Sequence, residues 1–164
     1  MKTKLMKSVK QSTLLLFLLL IGYSCSDSDP VQQIDFNETQ CEIVNVSIKK
    51  ADWLWDNEAE RYEAVVNLPE LTKFVYESGA QLGYVFIDTP GVNEVQKILP
   101  FVHTYWEDDG QGNAILYTET ISCDFMYGSP STAAFYIQAS DLGRDDSILA
   151  NYNFRLVLIW QLAF

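Results

Sequence analysis

Ile115-Leu116-Tyr117-Thr118-Glu119-Thr120-Ile121-Ser122-Cys123 decides the fold of this chain. Ile115, Tyr117, Glu119, Ile121 and Cys123 occupy every second position. A two-residue period puts them on one face of a strand. The same rhythm recurs on both sides. Val44, Val46 and Ile48 alternate with Asn45, Ser47 and Lys49, and Trp53 and Trp55 extend or rejoin that first strand after a kink near Ala51. Asp56, Asn57 and Glu58 make a turn into Tyr62, Ala64 and Val66, a second strand completing a hairpin. Residues 81–87 form a more continuously apolar, central third strand. The fourth carries Val95, Lys97 and Leu99, then Val102, Thr104 and Trp106, with Pro100 marking an edge or bulge. Residues 133–139 and 152–160 are the sixth and seventh strands, the last turning Phe154, Leu156, Leu158 and Trp160 one way. Between strands two and three, Leu71, Phe74 and Val75 at helical spacing, closed by Gly79, predict one or two helical turns as a connector.

Seven short strands with turns between them predict an all-β antiparallel seven-stranded sandwich over residues 41–164. An immunoglobulin-like order is the first choice, a jelly roll or open barrel the second. The Cys and Trp spacing of antibody domains is absent. The clearest hairpin loop is residues 107–113, where Asp-Gly and Gly-Asn steps supply positive φ.

The chain begins with a different grammar. Lys2, Lys4, Lys7 and Lys10 precede the apolar run TLLLFLLLI at residues 13–21, and Gly22, Tyr23, Ser24 and Cys25 follow. A basic stretch, an apolar run and a small-residue box make a secretory signal. This nine-residue run falls well short of the roughly 20 residues a spanning helix needs. The segment resembles a bacterial lipoprotein signal peptide, which implies removal of residues 1–24 and lipidation of the Cys25 thiol. Ser26, Asp27, Ser28, Asp29 and Pro30 open a polar, acidic stretch, so that residues 25–40 read as a tether. That stretch looks like the export tag of surface lipoproteins of Bacteroidetes-type bacteria. The resemblance implies an outer-membrane lipid anchor, facing the cell exterior or the periplasm.

Cleavage would remove four Lys and no acid, leaving 7 basic against 22 acidic side chains. So negative a surface repels phosphate backbones and excludes nucleic acid as a partner. The membrane partner is reached through the acyl chains. With Cys25 lipidated, Cys41 and Cys123 remain as an even pair in an export compartment. They form either one disulfide, worth about 4 kcal/mol in the chain-entropy model, or two buried free thiols.

Candidates for chemistry are few. His103, the single histidine, has no nucleophile elbow near it, and the chain carries no zinc set. An enzyme would need His103 or a carboxylate pair at the floor of a pocket, and the sequence predicts neither catalysis nor a cofactor. Asp108, Asp109 and Asn113 are weak calcium candidates without the EF-hand spacing; Asp141, Asp145 and Asp146 form a second acidic loop. Aromatic residues number 22, and exposed Trp and Tyr stack on sugar rings or anchor protein contacts. Trp106 and Tyr105 beside the 107–113 loop, with Trp53 and Trp55, are therefore the candidate ligand-binding residues. Asp146-Ser147-Ile148 matches the O-glycosylation pattern of Bacteroidetes secreted proteins, making Ser147 a candidate modification site.

One resemblance covers residues 42–160. Asp52-Trp53-Leu54-Trp55, Pro69-Glu70-Leu71-Thr72, Leu99-Pro100 with Thr104-Tyr105, Tyr117-Thr118-Glu119 and Phe154-Arg155-Leu156-Val157-Leu158-Ile159 look like a group of uncharacterised secreted or lipid-anchored Bacteroidetes proteins. It implies a β-rich domain in a bacterial surface setting and carries over no site residues. The expectation is a lipid-anchored surface protein with a non-catalytic binding or adhesion role toward a glycan or protein. The alternative is a structural subunit of an envelope assembly.

Overall fold

Alternation drives the architecture. In a computed structural model, which describes residues 39–108 and 110–161, nine strands form two antiparallel sheets that do not close into a barrel. The signal segment, Cys25, most of the tether and Asp109 lie outside the described residues. β1 (Thr39–Ile48) is followed by a 3₁₀ turn (Lys50–Asp52), β2 (Leu54–Asp56), β3 (Arg61–Asn67) and helix α1 (Lys73–Ser78). Then come β4 (Ala80–Ile87), β5 (Val95–Ile98), β6 (Phe101–Asp108), β7 (Ala114–Met126), β8 (Thr132–Ala139) and β9 (Tyr152–Gln161). The four-stranded sheet runs β1-β9-β4-β5 and the five-stranded sheet β2-β3-β8-β7-β6.

Nine strands replace the expected seven because two of those seven change sheets midway. The kink near Ala51 is a crossover: β1 pairs with β9, whereas β2 pairs with β3 in the opposite sheet. Pro100 does lie at an edge, since β5 and β6 are the edge strands of the two sheets, but it continues no single strand. It follows a cis Leu99–Pro100 bond at which the chain passes from β5 to β6, again between sheets. β1 also begins at Thr39, two residues inside the segment assigned to the tether, because Thr39 and Gln40 pair with Gln161 and Trp160. The last strand sits between β1 and β4, whereas the immunoglobulin order places it beside its predecessor.

Both sheets turn their apolar phase inward. Val85, Phe154, Leu156 and Leu158 from one meet Tyr62, Ile121, Phe135 and Ile137 from the other. The rings of Phe135 and Phe154 lie 4.2 Å apart across the interface. Burying each large side chain stabilises the fold by about 1.5–3 kcal/mol.

α1 closes one end. Thr72 caps it by accepting the Val75 amide at 3.3 Å, and Val75 is buried with Leu68 and Leu71. The connector is thus part of the core lid. Ser131 ties it down, its hydroxyl donating to the Leu71 carbonyl at 2.7 Å. Gly79 is required where α1 meets β9: a Cβ there would lie 2.5 Å from the Val75 carbonyl oxygen and 2.6 Å from that of Ile159.

Candidate functional site

The end opposite α1 stays open. There β4 finishes at Ile87, β9 begins at Tyr152, and the edge strand β6 stands away from both. The gap is a cleft of about 260 Å³ between the sheets. Its wall on the five-stranded sheet is set by the register of β6 on β7, which places His103 opposite Glu119 and Tyr105 opposite Tyr117. These residues share the inward phase with Phe101 and Ile121.

Their rings form a continuous ladder. His103 lies 6.2 Å from Phe101 and 4.2 Å from Tyr105, and Tyr105 stacks on Tyr117 at 5.2 Å. Across the gap stand Tyr152 and Asn151 from the start of β9 and Asp88 just past β4. Asp88 adopts a left-handed φ of 73°, a conformation that is uncommon outside glycine and is enriched at functional sites.

Glu119 forms the floor. It is 5% exposed, a charged side chain placed among core residues. Its Oε2 accepts the Tyr105 hydroxyl at 3.2 Å. A buried carboxylate is costly to ionise. Burial accordingly holds the Glu119 carboxyl above its ordinary range; the Tyr105 hydroxyl and the nearby His103 pull it partly back, and Asp145 pushes the other way. Tyr105 is raised to about 12 by burial and then by the Glu119 charge. Burial and the same charge raise Tyr152.

A second cavity of about 370 Å³ reaches Glu119 from beneath the 140–151 loop. That loop is pinned at several points. The Asp146 carboxylate accepts the Tyr62 hydroxyl and two Arg144 nitrogens, at 2.9 and 3.1 Å. Arg144 and Tyr62 hold the Asp146 carboxyl down at about 2. Leu149 is buried, and Asn151 accepts the Lys50 amide at 2.8 Å. The loop therefore forms a fixed wall of both cavities.

The candidate residues separate. Trp53 is 6% exposed, packed edge-on to Tyr152 and Phe154 at 6.0 and 6.5 Å. Trp55 is half-buried against Tyr62 at 4.9 Å. Both are packing residues. Trp106 is 69% exposed beside its cross-strand partner Leu116 at 70%. Tyr105 faces the cleft, so the pleat puts these two neighbours on opposite sides of the sheet.

The two cysteines are free thiols: Cys41 is exposed on β1, whereas Cys123 is half-buried on β7, and burial raises its thiol to about 12. They do not pair because they stand on opposite sheets, Cys41 in the outward phase of β1 and Cys123 in the inward phase of β7. Asp108 uses one carboxylate oxygen for turn amides, accepting from Gly110 at 2.8 Å and Gly112 at 3.2 Å. Asn113 closes that loop, and among the described residues no three His, Cys, Asp or Glu side chains gather as a metal site. Ser147 is exposed, and its amide donates to Asp145 at 2.8 Å.

Glu119, Tyr117 and Tyr152 were not among the sequence candidates. Their signal was Glu119 itself, a charged residue in the apolar phase of a strand. His103 does line a pocket, the condition set for an enzyme. The carboxylates Glu119 and Asp88 line the same cavity. No protein-family model, no curated protein and no solved structure matches this chain.

Proposed function

We propose that this protein is a non-catalytic recognition module, tethered to the outer membrane through a lipid on Cys25, that takes its ligand in the inter-sheet cleft. The observation carrying the reading is Glu119, a buried carboxylate at the floor of an aromatic-lined opening. A buried charged group is costly to the fold, and a ligand supplying hydrogen bonds or charge would offset that cost. Tyr105 and Tyr152, which line the opening, supply flat apolar surface for stacking. The Bacteroidetes-type setting rests on the resemblance of the signal and the acidic stretch after Cys25. The test is a glycan-array and peptide-array screen of the full-length protein in detergent, repeated with Tyr105→Ala. Binding lost in the variant supports the reading. Binding unchanged in the variant, or no binding to either array, overturns it.

One observation favours a structural subunit instead. β1 is a ten-residue edge strand without Lys or Pro, and among the described residues nothing pairs with its outer side. Such an edge is a template for another chain. Under this second reading the protein self-associates, and Ile43→Lys abolishes the association in analytical ultracentrifugation; a monomer at all concentrations excludes it.

A further inference from the structure

We infer that the cleft is built to take a primary alkylammonium group, with its nitrogen on Glu119 and its carbon chain against the tyrosine wall. The inference rests on the recognition reading above and names the ligand chemistry. Four features converge on a cation. Glu119 is buried, and its Oε2 accepts the Tyr105 hydroxyl at 3.2 Å. An ammonium group carries three donors and no acceptor, the complement of an ionised carboxylate, which only accepts. The rings of Tyr105 and Tyr152 line the same cavity, and aromatic rings suit a cation or its polarised methylenes. Finally, acidic groups outnumber basic ones: Asp88 lines the same cavity and Asp145 acts on Glu119 from the 140–151 loop, against His103 on the other side of the balance.

Competing cations are accounted for. No Lys or Arg lines this cavity among the described residues. Arg144, on the neighbouring one, is committed to Asp146 at 2.9 Å. Arg155 belongs to the outer face of the four-stranded sheet, over Phe86 at 5.1 Å and bonded to Asn45 and Gln96 at 3.2 Å each. Among the described residues, His103 is the one basic side chain lining the cleft.

Size narrows the class. About 260 Å³ is below the roughly 300–1,000 Å³ of sites that enclose a drug-sized molecule. The cleft therefore fits a short alkyl chain with a terminal amine, free or at the end of a longer molecule. The net charge of −11 would also draw cations toward the protein.

The test uses the full-length protein in detergent, titrated at pH 8 with n-pentylammonium and, separately, with its neutral counterpart n-pentanol, read by calorimetry and by the NMR signals of Tyr105 and Tyr152. The inference predicts saturable binding of the amine, at least tenfold weaker binding of the alcohol, and at least tenfold weaker amine binding by Glu119→Gln. Tyr105→Phe, which keeps the ring and frees Oε2, retains amine binding. Equal affinity for amine and alcohol, or full amine affinity in Glu119→Gln, overturns the cation inference while leaving the cleft as a ligand site. Absence of any shift at Tyr105 and Tyr152 with the amine overturns it as well, and the array screen then decides separately whether the recognition reading survives.

Discussion

Phe154→Ala removes the ring on which the two sheets meet. Phe154 is 1% exposed on β9, between Val46 of β1 and Val85 of β4. Its ring lies 4.2 Å from Phe135 on the opposite sheet and 6.5 Å from Trp53. Burial on every side leaves little room for collapse, so the expected loss is about 3–5 kcal/mol. For about 120 ordered residues the unfolding entropy is about 0.25 kcal/mol/K, so this loss lowers Tm by about 12–20 °C. The assay is urea unfolding followed by tryptophan fluorescence, with calorimetry for Tm. Phe135→Ala should cost a similar amount, and the double variant should expose a coupling of about 0.5–1.5 kcal/mol between the two rings. Trp106→Ala, on the exposed outer face, should stay within about 0.5 kcal/mol of the parent. A loss below about 1 kcal/mol for Phe154→Ala, or strict additivity of the two phenylalanines, would refute a core shared between the sheets.

Three further outcomes follow from particular contacts. Gly79→Ala should destabilise the protein by about 1–3 kcal/mol in the same urea assay, since the new methyl group meets two backbone carbonyls; an unchanged midpoint would contradict the close approach of α1 and β9. Iodoacetamide should alkylate Cys41 in the native state and leave Cys123, half-buried with its thiol raised, unmodified until unfolding; mass spectrometry of the digested protein reads the order, and early labelling of Cys123 would count against its placement. Cys25→Ser should shift the expressed protein from the membrane to the soluble fraction, and unchanged partitioning on immunoblots would remove the anchor.

The strands were legible because a two-residue period is a local property. Tyr62, Ala64 and Val66, or Phe154, Leu156 and Leu158, declare an inward face without any partner being known. The crossovers were not legible for the complementary reason. Nothing local distinguishes a kink within one sheet from a step to the other, so β1 and β2, and β5 and β6, each read as one strand; only the pairing with β9 and β3, or with β4 and β7, separates them. The site was half visible. Tyr105 was named, but grouped with Trp106, which the pleat turns to the other side of the sheet. Trp53 and Trp55 drew attention by residue type and prove to be packing. Glu119 sat in plain view in an apolar phase, the one sign that the inside of this sandwich holds a charge, and its company of His103 and Tyr152 depended on contacts between distant segments.

The most direct measurement is a pH titration of the Glu119 side-chain carboxyl by carbon-13 NMR, assigned with Glu119→Gln. Folding raises its pKa, so the unfavourable contribution is absent below the unfolded value, where both states are protonated. It grows as pH rises from there through the folded value, and it persists above. The account predicts a midpoint above that of an ordinary glutamate, together with a rise in the stability of Glu119→Gln relative to the parent over that same pH interval. A midpoint at or below the ordinary glutamate value, with no pH-dependent difference between the two proteins, would contradict a buried carboxylate at the floor of the cleft.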